Sequence, residues 1–239
     1  NEGGFVLLIT LVVVLLLTII IFEIDFQSRA DLRAAGNFRD DLSAYYVALS
    51  GITAGKEILN EDLKQNGTID HLNEAWAVTL PSYPVGEGEI LGKITDEAGK
   101  FNLNGLLDNP TPTTQTINLF KKNQLQRLFE LLSVDANLVD AIIDWIDTNT
   151  NTEPNGAEDE TYQTLPFSYP TKNGRLTTLE EILYIKGITP EIYQKIAPYL
   201  TVVGTDMRIN VNTADPFVLQ SLHSSIDDSA LKTLLEGRP

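Results

Sequence analysis

The sequence "FVLLITLVVVLLLTIIIF", Phe5 to Phe22, is an unbroken apolar stretch near the start of the chain. Its eighteen residues carry no charge, and only Thr10 and Thr18 are polar. As a helix rising about 1.5 Å per residue it is roughly 27 Å long, close to the hydrocarbon thickness of a bilayer. A buried core helix would show a polar face, and a signal-peptide core is usually shorter and ends in small residues. The stretch therefore predicts a membrane-spanning helix.

Apolar residues continue at helical spacing beyond the membrane segment, with charged residues between them. They are Phe22, Phe26, Ala30, Ala34, Phe38, Leu42, Tyr45, Leu49 and Ile52. This spacing predicts an amphipathic helix that extends the membrane helix to about Leu59. We expect Phe38, Leu42 and Tyr45 to anchor partner helices, unless the same side chains pack on the protein's own sheet.

The middle of the chain changes from helical spacing to a period of two and back. "GEILGKIT" (88–95) alternates, "DEAG" favours a turn and "KFNLN" (100–104) returns, which predicts a β-hairpin after a "PSYPVGEG" loop. From Thr116 the helical period resumes in "TINLFKKNQLQRLFELL" and "NLVDAIIDWI". "TTLEEILYI" begins with a capping pattern, and a further helix is entered near Thr189 after a turn at Gly187.

Composition excludes several classes of function. The chain has 17 Lys and Arg against 33 Asp and Glu, a net charge of −16, which disfavours nucleic-acid and anionic-lipid partners. It has no cysteine, so thiol catalysis and disulfides are excluded. His71 and His223 are far apart in sequence and no catalytic motif surrounds either, so we do not expect an enzyme.

An acidic segment, "DWIDTNTNTEPNGAEDETY" (144–162), favours a hard cation. Counted from Asp147, the residues at the third, fifth and twelfth positions mimic the oxygen ligands of an EF-hand loop. Thr152 and Pro154 break that motif, so a true EF-hand is not expected. Oxygen donors alone suit calcium, and the alternative is a solvated loop whose Asp144 or Asp147 caps a helix. Asp140 is expected to face solvent.

The start of the chain resembles the class III signal of type IV pilins and pseudopilins. Gly3 and Gly4 precede Phe5 and the long apolar helix. The resemblance implies cleavage after Gly4 by a prepilin peptidase and a methylated N-terminus at Phe5. Ile9 stands where most of these proteins carry Glu, and the minor pseudopilin K of type II secretion shares that departure.

The resemblance becomes specific in the helical region. "FNLNGL", "LVDAIIDWID", "GAEDETY", "LEEILYIKGI", "IAPYLTVV" and "INVNTA" follow the order and spacing of the minor pseudopilin K family. The resemblance implies an α+β fold, in which a long N-terminal helix lies on a small antiparallel sheet and carries SAM-like helical modules. The expected divisions are a leader end at 1–4, a transmembrane helix at 5–24, a pilin-like domain at 25–105, a helical domain at 106–206 with the acidic loop at 144–162, and a second module at 207–239 that the family continues beyond Pro239.

The same resemblance implies the function, the partners and the metal. The expected function is that of a minor pseudopilin that starts or caps a periplasmic pseudopilus. The protein would be anchored in the bacterial inner membrane by a single membrane-spanning helix. Its partners would be the I and J minor pseudopilins and the major pseudopilin. The calcium ligands carried over by position are Asp147, Asn149, Asn151, Glu158 and Asp159, with Asp144 as a weaker candidate. The alternatives are a minor pilin of a type IV pilus-like system and a helix-hairpin-helix nucleic-acid binder, against which the charge argues.

Overall fold

The structure, a computed structural model, describes residues 2–65, 67–78, 80–86, 88–108 and 115–239. Asn1, the first residue of the expected leader, lies outside them. The chain divides into two compact units, Asn1–Lys64 with Thr79–Lys93, and Gln65–Val78 with Ile94–Pro239. The second unit, called the helical unit below, starts before the boundary expected at 105 because Phe101, Leu103 and Leu106 are fully buried in its core.

One helix, α1 (Glu2–Gln65), joins the predicted membrane segment to the predicted amphipathic segment. It runs past Leu59, since no proline or turn motif interrupts it before Gln65. It is long and apolar enough to cross a membrane, and none of its most apolar window is buried. Gly4 and Phe5 lie within this helix, at its N-terminal end.

The first unit also contains an antiparallel hairpin of β1 (Leu80–Val85) and β2 (Gly88–Gly92). The predicted hairpin is therefore wrong: β2 pairs with the segment expected to be a loop, and not with 100–104. Gly86 supplies the positive φ of 63° that the tight connection requires. Gly51 of α1 lets β2 approach closely, because a Cβ there would lie 3.0 Å from Cγ2 of Ile90.

Short helices build the helical unit. They are α2 (Leu119–Leu131), α3 (Leu138–Ile146), α4 (Asp159–Gln163), α5 (Pro190–Ile196), α6 (Pro216–Ser221) and α7 (Asp228–Glu236), with 3-10 turns at Glu97–Gly99, Leu103–Leu106, Leu179–Tyr184 and Ala197–Tyr199. Two predicted starts are confirmed: Thr178 and Glu181 form the capping box, and Thr189 caps α5 with Pro190 in its first turn.

Two small strand pairs tie the helical unit together. β3 (Phe101–Asn102) runs parallel to β6 (Leu200–Thr201), and β4 (Leu107–Asp108) pairs antiparallel with β5 (Thr116–Ile117). The "KFNLN" segment thus pairs with a strand far along the chain. Asn104 lies at this junction, where its side chain donates to the carbonyls of Leu176 and Val202 and accepts from the Leu176 amide. Asn104 therefore has a structural role at this junction.

Candidate metal centre

Helix α3 positions the acidic residues because its apolar positions fix its rotation in the core. Val139, Ile142 and Ile143 are fully buried. Asp144 lies within the helix and Asp147 is its C-cap, and both are buried as well, at 0% and 3% exposure. Burial of carboxylates without paired cations is costly, so this end of α3 needs a compensating charge or a proton.

Three buried carboxylates converge at the end of α3. One oxygen from each of Asp144, Asp147 and Glu158 lies within 4.8 Å of the other two. Glu158 comes from the N-cap of α4 and is 6% exposed. Within the described part of the chain, neither Oε1 nor Oε2 of Glu158 has a hydrogen-bond partner. We call these three residues the carboxylate triad.

Backbone donors hold Asp144 from one side. The Glu153 amide donates to both of its oxygens, at 3.1 and 3.2 Å, and the Ala157 amide also bonds to it. Gly156 also lies against Asp144. A Cβ at Gly156 would lie 1.8 Å from Oδ2 of Asp144, so only glycine allows this approach.

The raised pKa values of the three carboxyl groups show that the negative charge of the triad is poorly compensated. Burial, with repulsion from Asp147 and Asp144, raises the pKa of Glu158 to about 7. Burial also raises the pKa of Asp147 to about 6, and it raises the pKa of Asp144 despite the amide donors. The triad therefore takes up protons near neutral pH when no cation is bound.

A second acidic pair beside the triad has its own cation. Nζ of Lys122, on α2, lies 2.7 Å from Oδ1 of Asp140 and 2.7 Å from Oε2 of Glu153. The expectation that Asp140 faces solvent is wrong: it is 4% exposed because α3 turns it toward α2, where Lys122 lies. Burial alone would raise the pKa of Asp140, but bonds from Lys122 and Asn155 lower it. We call Lys122, Asp140 and Glu153 the lysine bridge.

Of the remaining predicted ligands, Asn149 bonds to Asp147 of the triad through its backbone amide and its side chain. The Asn149 side chain accepts from the Asn151 amide, and the Asn149 amide donates to Asp147, so both asparagines form turns. Asp159 accepts from the amide and hydroxyl of Thr171, which lowers its pKa. The structure thus brings together Asp144, Asp147 and Glu158, and engages Asp159 elsewhere.

Sequence reasoning missed Lys122 and Glu153 as parts of this centre. Glu153 was visible only as one more acid in the loop, and Lys122 belongs to another helix. The pattern of α2 could have raised the question, because Lys122 lies one helical turn before the fully buried Leu125. A lysine with only 15% of its side chain exposed needs a partner.

The predicted partner-binding residues lie in the first unit. Phe38, Leu42 and Tyr45 on α1 are 69%, 43% and 63% exposed. The alternative, in which they form the contact with the protein's own sheet, does not match these values. Their solvent exposure leaves them available for contact with another chain.

Family models match most of the helical unit. A model described as type II secretion system protein K matches residues 99–205, and a second model with the same description matches residues 209–239. The first model covers α2 to α5, including the carboxylate triad and the lysine bridge. The second covers α6 and α7.

Similar proteins agree with these models. Type II secretion system protein K of Aeromonas hydrophila is 28% identical over all of this chain and 76% of its own length. The protein of the same name from Pseudomonas aeruginosa is 27% identical over all of this chain and 73% of its own.

A solved structure shows the same fold. It belongs to the GspK-GspI-GspJ complex of enterotoxigenic Escherichia coli, with a TM-score of 0.69, 22% identity, and coverage of 85% of this chain and 83% of that one. The α+β fold class expected from the sequence is confirmed, and so is the resemblance on which it was based. The chain belongs to the type II secretion system protein K family.

Proposed function

We propose that this minor pseudopilin helps to start or cap the pseudopilus at its tip, anchored in the inner membrane with the helical unit in the periplasm. The observation that carries the proposal is α1, a single helix whose first part suits a bilayer and whose second part exposes an apolar stripe. Prepilin peptidase would cut after Gly4, and Phe5 would become the methylated N-terminus. The helix would then be both anchor and assembly surface.

The proposed partners are minor pseudopilins of the I and J types, followed by the major pseudopilin. The structural relative was solved in a complex with GspI and GspJ. On this chain the exposed side chains of Phe38, Leu42 and Tyr45 provide the apolar anchors that helix-to-helix packing requires. Ile9 supports a tip position, because a subunit without a carboxylate there buries no lone charge that would need a partner.

A binding experiment with Phe38→Ala tests the partner proposal. The full chain in detergent micelles should lose most of its affinity for the I and J pseudopilins while its melting temperature stays unchanged, because Phe38 is exposed. Leu32→Ala is the matched control, since Leu32 is 73% exposed on α1 but lies off the predicted stripe. Equal binding by both variants, or a large loss of stability in Phe38→Ala, would rule out this surface.

We also propose that the carboxylate triad binds calcium. The residues fit the ion: three carboxylate oxygen donors are clustered, and among the described residues neither buried Glu158 oxygen has a hydrogen-bond partner. Asp144, Asp147 and Glu158 would hold the ion, with Asn149, Asn151 and Asp159 as the further residues carried over from the resemblance. Bound calcium would supply the positive charge that the triad lacks, and an ion that binds only the folded state stabilises that state.

Calcium binding would fix the acidic loop on the face of the helical unit that the end of α3 and the start of α4 form. This role is structural: the ion would hold together two elements whose carboxylates otherwise repel one another. Titration of the metal-free chain with calcium chloride, followed by calorimetry, tests it. Heat of binding should be seen in the wild type and lost in Glu158→Gln, whereas Glu160→Gln, an exposed acid two residues away, should bind as the wild type does.

A further inference from the structure

The turn at residues 153–156 is fastened at two places. The Gly156 amide donates to the Glu153 carbonyl at 2.9 Å, which closes the turn. The Glu153 amide bonds to Asp144 of the carboxylate triad, while the Glu153 side chain pairs with Lys122. One residue therefore links the triad to the lysine bridge through its backbone on one side and its carboxylate on the other.

The lysine bridge also fixes the far end of the turn. Oδ2 of Asp140 accepts from the amide of Asn155 at 3.2 Å and from its side chain at 3.0 Å. Lys122 holds Asp140 in place from α2, with 15% of the lysine side chain and 5% of the aspartate side chain exposed. A buried ion pair of this kind specifies one arrangement, because moving either partner leaves a buried charge unpaired.

We propose that Lys122 is the positioning residue of the acidic loop: its ammonium fastens the 153–156 turn to α2 and α3, and so sets the amides that hold Asp144 in the carboxylate triad. The effect on calcium rests on the proposed metal function, whereas the effect on the turn does not. Lys122 makes no contact with the triad itself in the described structure. It acts through Glu153 and Asp140.

The sign of the effect on calcium affinity separates positioning from simple charge. A lysine that acted only as a nearby positive charge would repel the ion, so its removal would strengthen calcium binding. A lysine that positions the turn has the opposite effect, because without it the loop must be ordered at the expense of binding energy. Lys122→Met should therefore weaken calcium binding about tenfold, which corresponds to about 1.4 kcal/mol.

The experiment combines amide hydrogen exchange with calcium titration on the full chain in detergent micelles. In Lys122→Met, the amides of Glu153, Asn155, Gly156 and Ala157 should exchange about tenfold faster than in the wild type, both with chelator and with calcium chloride. Glu153→Gln should give a similar change, and adding it to Lys122→Met should have little further effect. Lys122→Arg should restore slow exchange, which separates loss of the bridge from general misfolding.

Lys195→Met is the matched control, because Lys195 is exposed and bonds to the Ser133 carbonyl. It should leave the exchange of these four amides and the calcium affinity unchanged. Unchanged exchange in metal-free Lys122→Met, or tighter calcium binding by that variant, would overturn the positioning role. If the wild type bound no calcium, the metal proposal would fail, and exchange in chelator would still decide the role of Lys122.

Discussion

Two sets of acids lie side by side at α3 and differ in how their charge is balanced. Asp140 and Glu153 share Lys122, and the pKa of Asp140 is lowered. Asp144, Asp147 and Glu158 have no cation among the described residues, and their pKa values are raised. Acidic residues one helical turn apart can therefore be balanced in different ways: one set is paired with a lysine inside the fold, and the other has no cation of its own among the described residues.

The largest expected effect comes from Gly156→Ala, which disrupts the close contact between the 153–156 turn and Asp144. A Cβ at this position would overlap Oδ2 of Asp144, a fully buried side chain held by backbone amides. We expect a loss of about 3 kcal/mol in the free energy of unfolding, the upper end for overpacking a buried site. Thermal melts should show the loss with and without calcium.

Gly174→Ala is the control for Gly156→Ala. A Cβ at Gly174 meets only the Lys172 carbonyl, at an ordinary 3.8 Å. It should change stability little. If both variants melted with the wild type, the close packing of Gly156 on Asp144 would be wrong.

The next effect comes from Asp140→Asn, which removes one carboxylate of the lysine bridge and leaves the side chains of the carboxylate triad intact. Removing one charge of a buried pair leaves Lys122 with Glu153 only, and we expect a loss of about 2 kcal/mol. The loss should already be present in chelator, because Asp140 is outside the carboxylate triad, and the variant should still respond to calcium, with a loss of affinity no larger than the tenfold expected of Lys122→Met. If the variant lost the calcium response altogether, Asp140 would belong to the same site as the triad.

Much of this architecture could be predicted from the sequence. The unbroken apolar run predicted the first part of α1, and Thr189 with Pro190 predicted the start of α5. Both signals are local in sequence. Spacing within one loop placed Asp147 and Glu158 in the same candidate site. The resemblance supplied the order of the modules.

What could not be predicted depends on partners far apart in sequence. Strand β2 has the same alternating pattern whichever strand it pairs with, so its pairing with β1 was missed. Asp140 was expected in solvent because its cation comes from α2, and no spacing within α3 reveals Lys122. The hydrogen bond from Thr171 that engages Asp159 likewise comes from beyond the acidic loop.

A smaller effect concerns the dependence of stability on pH, and it should come from the carboxylate triad only. The pKa values of Glu158 and Asp147 are raised to about 7 and about 6, so the folded metal-free state binds protons that the unfolded state releases. Their contribution to stability is present below about pH 4 and is lost as pH rises through 6 and 7. The groups with lowered pKa values act below this range.

Melts in chelator from pH 5 to pH 8 check this prediction. The melting temperature of the metal-free wild type should fall across that window, and the fall should be smaller in Glu158→Gln, which keeps a neutral side chain at every pH. With calcium the fall should disappear, since the ion replaces the protons. A flat metal-free profile would show that the triad is already balanced by groups within the protein.

The most direct test of the central claim is a pair of thermal melts of the full chain, one with calcium chloride and one with excess chelator. At a calcium concentration a hundredfold above Kd, we expect the free energy of unfolding to rise by about 2.7 kcal/mol and the melting temperature to rise with it. Glu158→Gln and Asp147→Asn should each remove most of that gain, whereas Glu160→Gln should keep all of it and Asp140→Asn should keep a part. Identical wild-type curves in the two conditions would contradict the account, and the carboxylate triad would then be a protonated cluster without a metal.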